Sequence, residues 1–267
     1  MTGEQATAYR WRRRGTRETL VRFAVYLGAV AVLVWAVLDL DIFWPWVVDA
    51  PIQMADLLGR MVPPDVSTLD LIGAAMLQTI HIATLATLLA LILAMPVAYL
   101  AAQNTTPNSF TLALGRLVVV STRSVNTIIW ALLFVAIFGP GPLAGILAVA
   151  FRSIGFLGKL VAESIEETDR KPVEAMEATG ASKAKVIAYA IVPQVMPTFF
   201  AVAILRWDIN IRESTVLGLV GAGGIGLLLQ GAIDTFKWQE VATILIAILL
   251  VVVAGEFVSG WLRRKVI

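Results

Sequence analysis

Four arginines lie inside apolar stretches of the sequence, where a permanent positive charge needs an explanation. They are Arg123, Arg152, Arg206 and Arg212. A charge at the centre of a bilayer costs about 2.5–3.5 kcal/mol on insertion scales, so each one needs a partner or a water-filled cavity. A guanidinium also has a fixed charge and a planar fork that matches phosphonate or phosphate oxygens. These arginines are therefore candidates for the pathway of a small anion.

Helical spacing predicts partners for two of the four. If residues 206–213 are helical, Arg206 shares a face with Glu213, and Arg212 lies one turn after Asp208. An internal ion pair is therefore the favoured interpretation for Arg212. Arg152 has no carboxylate at helical spacing and is harder to explain as a structural residue.

Arg123 is predicted to lie midway along a membrane helix, on the same face as Asn126 and Thr127. Such a polar stripe is expected to face the protein interior. The full set of candidate pathway residues is Arg123, Asn126, Arg152, Arg206, Arg212, Ser214 and Thr215.

The composition excludes most enzyme chemistry. The sequence has no cysteine and a single histidine, His81, which predicts no thiolate metal site and no histidine-based triad. We predict no catalytic residue and no metal ligand. The hydrophobic content of 58%, with 15% charged residues and a mean hydropathy of +0.82, indicates lipid as the main solvent. The net charge of +2, spread over membrane-flanking positions, argues against nucleic acid as a partner.

Six apolar stretches are each close to or above the roughly 20 residues that cross a bilayer. They cover residues 20–38, 71–101, 112–138, 143–165, 186–208 and 240–262. The fold predicted is an all-α polytopic membrane protein with about six transmembrane helices.

Positive charge is concentrated on one predicted side of the membrane. The basic N-terminal segment at 10–17, the loop at about 166–185 and the basic C-terminus share that side, so we place both termini and the loop in the cytoplasm. Residues 42–65 contain Trp44 and Trp46, and Ile52, Ala55, Leu58 and Met61 lie near helical spacing, which predicts a short helix at the outer interface. GPGP at 139–142 predicts a tight outer turn.

We divide the chain into residues 1–70, with the first helix and outer segment, and a transmembrane domain at 71–267.

The predicted cytoplasmic loop contains a short helix outside the membrane. Pro172 suits its start, Glu174 its positive N-terminal end and Gly180 a C-terminal cap, while Ser182 can cap the segment that follows. Val173, Ala175, Met176 and Ala178 would offer apolar contacts to a partner. The alternative is a helix that lies on the membrane surface.

This loop resembles the EAA loop of ATP-binding-cassette importer permeases, through Glu174, Ala175, Gly180 and Pro193. The resemblance implies a five-helix type I permease core, preceded here by one extra helix, and a coupling helix on which a separate ATPase docks. The sequence lacks a phosphate-binding GxxxxGK[ST] loop. We therefore expect no cofactor on this chain, with ATP and Mg on the partner ATPase.

The run VGAGGIG at 220–226 has the spacing of a dinucleotide fingerprint but lacks its strand–helix context. Glycines let backbones approach closely, so we interpret Gly221, Gly223, Gly224 and Gly226 as a gate or packing loop near the outer mouth of the pathway.

Residues 206–226, with 178–183, 192–197 and 130–142, resemble permeases of the phosphonate-import branch. This resemblance implies import of phosphonate, or of a related oxyanion such as phosphite or a phosphate ester, across a prokaryotic inner membrane by alternating access. It also implies a homodimer, an ATPase dimer and a periplasmic or lipid-anchored substrate-binding protein.

Three alternatives remain at this stage. A methionine-type importer shares a similar glycine run. An ion-coupled secondary transporter would need a central titratable carboxylate, for which Asp208 and Glu213 lie too close to arginines. A structural membrane protein would have no use for the coupling loop.

Overall fold

The computed structural model describes residues 15–266, which are almost entirely helical. The segment 1–14, with most of the basic N-terminus predicted to be cytoplasmic, lies outside the described residues. The helices are α1 (Thr16–Asp39), α2 (Trp44–Arg60), α3 (Leu69–Ala101), α4 (Ser109–Ser124), α5 (Thr127–Phe138), α6 (Pro142–Glu166), α7 (Arg170–Ala178), α8 (Lys183–Val186), α9 (Val192–Leu217), α10 (Ile225–Asp234) and α11 (Trp238–Val266). The chain divides into two compact units, one up to Asp56 and one from Leu57 onward.

The first unit contains α1 and most of α2. Every described residue from 17 to 56 is exposed, and α1 is apolar on every side from Phe23 to Leu38. A helix of this kind has lipid or a partner as its surroundings, not water. The helix predicted within 42–65 is present as α2.

Five helical segments are long and apolar enough to span a bilayer, and there are six if the bent pair α4 and α5 crosses as one span. The predicted fold, an all-helical membrane protein with about six spans, is therefore confirmed. The prediction of one continuous helix over 112–138 was wrong, because the chain breaks after Ser124 and bends by 92°. Val125 is extended, and the Asn126 side chain accepts the Ile128 amide at 3.0 Å, which caps a new helix at Thr127.

The span that contains α9 is longer than the predicted 186–208, since helical structure runs from Lys183 to Val220. It includes a π-helical turn, Ile187–Ile191, in which the Val192 amide donates to the Ile187 carbonyl. Pro193 follows directly. Its ring cannot donate a hydrogen bond and would clash with the carbonyl four residues earlier, so the wider turn accommodates it.

The core of the second unit is the contact of α3 with α6, to which α4, α5 and α9 are added. Small residues form this contact. Ala86, Ala90 and Ala94 of α3 are buried in one cluster with Ala148 and Ala150 of α6. Small side chains let membrane helices pack closely, and this packing fixes the positions of the polar groups described next.

Candidate functional site

Two arginines and one glutamate meet within the second unit. Arg152 of α6 places Nη1 2.8 Å from Oε1 of Glu213 in α9, and Arg206 of α9 places Nη2 3.3 Å from Oε2 of the same carboxylate. We call Arg152, Arg206 and Glu213 the arginine–glutamate cluster. It holds two positive charges and one negative charge, so one positive charge is not balanced within it.

The two arginines have different surroundings. The Arg206 side chain is 3% exposed, donates from Nε to the Ser153 hydroxyl at 2.8 Å and lies over the Phe156 ring at 5.1 Å. The Arg152 side chain is 33% exposed and donates from Nη1 to the Thr127 hydroxyl at 2.8 Å. Arg206 is therefore fixed in the protein, while Arg152 forms the accessible edge of the cluster.

Hydroxyl and amide groups connect this cluster to the neighbouring helices. Thr127, in the first turn of α5, donates to Oε2 of Glu213 at 2.7 Å. Asn210 of α9 donates to the Thr87 hydroxyl of α3 at 2.8 Å, and its amide oxygen lies 3.2 Å from the Ser153 hydroxyl. The cluster therefore contacts or connects α3, α5, α6 and α9.

Arg123 lines a separate cavity of about 540 Å³ between α4 and α6. Two other cations line it, but each has a carboxylate partner. Arg116 lies 3.4 Å from Glu166, and Lys159 lies 3.3 Å from Glu163. No hydrogen bond or ion pair of Arg123 occurs among the described residues. Its charge is available to whatever fills the cavity.

The cavity and the arginine–glutamate cluster adjoin along α6. A methyl group at Gly155 would lie 2.7 Å from Cγ of Arg123, so the Arg123 stem crosses α6 at that glycine. Arg152 precedes Gly155 by less than one turn, which separates the two levels by about 5 Å along the axis. Lys159 and Glu163 continue on the same side of the helix. We call the side defined by Arg152, Gly155, Lys159 and Glu163 the polar face of α6.

The remaining predicted pathway residues lie elsewhere. Arg212 forms the predicted ion pair with Asp208. Asn126 caps α5 and, because of the helix break, does not continue a stripe from Arg123, which corrects that prediction. Ser214 is buried, with no hydrogen-bond partner for its hydroxyl among the described residues. The Thr215 hydroxyl donates to the Arg212 carbonyl at 2.7 Å.

The glycine run packs tightly between helices. Gly221, Gly223 and Gly224 all have positive φ angles, and the Gly221 carbonyl accepts the Gly141 amide of the GPGP turn at 2.9 Å. A methyl group at Gly224 would lie 2.6 Å from Oγ1 of Thr79. This close approach agrees with a packing role. The structure also adds helix α10 directly after the run, which the sequence analysis did not predict.

The predicted coupling helix is present as α7. Gly180 has a φ of 77° and ends the helix, as predicted. Glu174 and Ala175 are exposed, whereas Val173 is half-buried and packs against the core. Ser182 stands at the predicted cap position but makes no side-chain cap bond.

Two residues that the sequence analysis missed hold α7 in place. Asp169 caps it by accepting the Lys171 amide at 3.1 Å. Gln194, in the first turn of α9, accepts the Asp169 amide at 3.0 Å and donates to the Ala190 carbonyl at 2.7 Å. The side chain of Gln194 therefore links the start of α7 to the base of α9. Pro193, next to it, lies outside α7 at the junction of the π-helical turn and α9.

Residues 94–267 match the family model described as binding-protein-dependent transport system inner membrane component. The chain is 42% identical over 208 residues to the putative phosphite transport system permease protein HtxC of Stutzerimonas stutzeri, covering 78% of this chain and 74% of that protein. It is 38% identical over 254 residues to the phosphite transport system permease protein PtxC of the same organism, covering 95% and 90%.

A third relative is the phosphate-import permease protein PhnE of Mycolicibacterium smegmatis, 39% identical over 236 residues, which are 88% of this chain and 44% of that protein. Among solved structures, the fold is similar to an inward-facing MetNI methionine ABC transporter. The TM-score is 0.65 at 19% sequence identity, covering 76% of this chain and 99% of that chain.

Proposed function

Because this chain belongs to the family of binding-protein-dependent transport system inner membrane components, we propose that it imports a phosphorus oxyanion as the permease subunit of an ATP-binding-cassette transporter. The observation that carries the choice of substrate is the unbalanced positive charge in the arginine–glutamate cluster. Charge within a membrane span needs either a partner or water, and Arg152 is a third exposed. An anion that moves along this side of the protein would supply the missing charge.

The chemical class of the substrate follows from the relatives and from the arginines together. HtxC and PtxC are named for phosphite transport and PhnE of M. smegmatis for phosphate import. Phosphite, phosphate and phosphonates share a tetrahedral phosphorus with several anionic oxygens, which a guanidinium binds through paired hydrogen bonds. We place the substrate pathway along the polar face of α6, with Arg152 and Arg123 in contact with the anion.

The other predicted pathway residues have supporting roles in this proposal. Asn126 sets the start of α5, Arg206 holds Glu213, and Arg212 neutralises Asp208. Ser214 and Thr215 are buried within the protein. The glycine run from Gly221 to Gly226 packs closely against α6 and the GPGP turn.

The energy source is a separate subunit. This chain catalyses no reaction in the proposal, and ATP and Mg bind to a cytoplasmic ATPase dimer that contacts the exposed Glu174 and Ala175 of α7. A second copy of the chain completes the pathway, and a periplasmic or lipid-anchored binding protein delivers the anion. Movement of α7 passes to α9 through the Gln194 link, and α9 carries Arg206 and Glu213. ATP binding and hydrolysis would thereby drive alternating access.

The test is uptake into proteoliposomes that contain this chain, its ATPase and its binding protein. We expect ATP-dependent, vanadate-sensitive uptake of phosphite, phosphate or methylphosphonate, with no uptake when the ATPase is omitted. Uptake of methionine alone would assign the chain to a methionine-type importer. Uptake that follows an ion gradient without ATP would instead identify a secondary transporter.

A further inference from the structure

The carboxylate of Glu213 occupies the position in which an anionic substrate would bind the two cluster arginines. We propose that Glu213 is an internal substitute for the substrate anion. It holds Arg152 when the pathway is empty, and an entering phosphorus oxyanion displaces it from Arg152 but not from Arg206. This inference rests on the proposed function and adds a residue that determines how tightly the substrate is held.

The unequal burial of the two arginines decides which bond breaks. Arg206 is almost fully enclosed and has Ser153 and Phe156 as additional contacts. Arg152 is accessible, and both of its hydrogen bonds, to Glu213 and Thr127, come from Nη1. Among the described residues, nothing accepts from its Nε or Nη2. That edge of the guanidinium carries two parallel N–H donors, the arrangement that binds an oxyanion through two oxygens.

The charge balance favours exchange at Arg152. Two guanidiniums share one carboxylate, and Asp208, another carboxylate of α9, is already paired with Arg212. An anion that binds the open edge of Arg152 first neutralises the excess charge. If Arg152 then turns toward the anion, Glu213 keeps Arg206 and Thr127 as partners. After the exchange, Arg152 is paired with the anion and Arg206 with Glu213, so each positive charge of the cluster has its own negative partner.

Competition from Glu213 also solves a problem that any transport site has. A substrate held too tightly in the pathway would not leave it, so binding must be favourable yet weak. Because the entering anion has to replace a carboxylate at 2.8 Å from Arg152, part of its binding energy is lost in the exchange. Removing that carboxylate should therefore strengthen binding and slow release.

Thr127 connects this exchange to the helix break. Its hydroxyl accepts from Arg152 and donates to Glu213, and it lies in the first turn of α5 directly after the 92° bend. A movement of Arg152 toward the substrate therefore changes the hydrogen bonds that hold the start of α5. The same step that captures the anion therefore acts on the 92° bend between α4 and α5.

The experiment measures both affinity and uptake in the complete transporter. Radiolabelled inorganic phosphate is equilibrated with the permease–ATPase complex in nanodiscs, with phosphite and methylphosphonate as competitors that identify the preferred oxyanion. Glu213→Gln should bind at least about tenfold more tightly than the wild type and reduce maximal uptake. Arg152→Gln should lose both binding and uptake. Arg152→Lys should lose most of the binding because a lysine has no paired edge.

Two further variants keep the test decisive. Glu240→Gln removes a carboxylate from its ion pair with Lys237, which lies outside the arginine–glutamate cluster and the polar face of α6, and should change neither affinity nor uptake. Glu213→Asp keeps the charge but withdraws the carboxylate, and its affinity should lie between those of the wild type and Glu213→Gln. If the Glu213→Gln variant does not assemble, the affinity of Glu213→Asp alone shows whether Glu213 competes with the anion.

The two proposals fail in different ways. A wild-type complex that takes up no phosphorus oxyanion overturns the proposed function. If the wild type takes up an oxyanion but Glu213→Gln and Glu213→Asp bind it no more tightly, the inference about Glu213 alone is overturned.

Discussion

Arg206 and Arg123 both lie in the membrane-spanning region, but they differ in burial and in whether their charge has a partner. Arg206 is buried and has a carboxylate, a hydroxyl and an aromatic ring as contacts. Removing one partner of such a buried pair typically costs about 3–5 kcal/mol, so we expect substitution of Arg206 to destabilise the fold. Arg123 has no polar partner among the described residues and lines an open cavity. Its role in function can therefore be tested with little risk to the fold.

We predict that Arg123→Gln lowers oxyanion uptake several-fold without reducing the amount of assembled complex. The substitution removes a charge that attracts the anion but breaks no ion pair, and glutamine keeps most of the stem that packs against Gly155. The measurement is initial uptake in proteoliposomes at low and high salt, because screening should weaken the effect of this charge.

The matched control for Arg123 is Arg116→Gln in the same cavity, where the arginine is paired with Glu166. Its uptake should change less than that of Arg123→Gln. Equal uptake by Arg123→Gln and the wild type at low salt would remove Arg123 from the pathway.

At the level of single residues, the sequence predicts local pairs but not distant ones. Helical spacing was sufficient for the Arg212–Asp208 and Arg206–Glu213 pairs, since both partners lie on one helix. The Arg152–Glu213 pair joins residues 61 positions apart and depends on how α6 packs against α9. No local pattern contains that information. The sequence could mark Arg152 only as an arginine without a nearby partner.

Among the helices, the break between α4 and α5 is the largest difference from the sequence-based prediction. Hydropathy averages over a window and treats 112–138 as one span, whereas the break depends on a few polar residues. Asn126 is a strong helix-capping type, and it lies in the polar stretch STRSVNT at 121–127, which interrupts the apolar run. The capping signal was therefore visible in the sequence, and in the structure it breaks the helix despite the high mean hydropathy of 112–138. In contrast, α7 was predicted correctly because Gly180 and the polar composition both mark it.

The link from α7 to α9 leads to a prediction about energy coupling. Gln194→Ala removes the side chain that accepts the Asp169 amide and should let α7 move without moving α9. We expect the complex to assemble and hydrolyse ATP while taking up less substrate per ATP. The ratio of uptake to hydrolysis in proteoliposomes measures this.

The control for this variant is Gln230→Ala, which removes a hydrogen bond between a glutamine and Asp234 within α10. Its coupling ratio should equal that of the wild type. An unchanged ratio in Gln194→Ala would mean that α7 transmits its movement by other contacts, such as the packing of Val173 against the core.

For the whole molecule, the direction of transport depends on which side of the membrane carries α7. The proposal requires α7 in the compartment that supplies ATP, and the clustering of positive charge around 166–185 predicts the cytoplasm. With six spans, the segment between α2 and α3 must then face the opposite side. The orientation of the chain can be measured directly, because the natural sequence contains no cysteine and needs no background substitutions.

We predict opposite labelling of two single-cysteine variants, Ser182→Cys next to α7 and Ser67→Cys before α3, both at exposed positions. In intact cells, a membrane-impermeant maleimide should label Ser67→Cys and leave Ser182→Cys unlabelled until the membrane is permeabilised. The cysteine-free chain should stay unlabelled throughout. The reverse pattern would place α7 outside the cell, away from ATP, and an importer driven through this helix could not operate. Labelling of both positions in intact cells would mean that the number of spans between them is even, which would require α4 and α5 not to cross the membrane together.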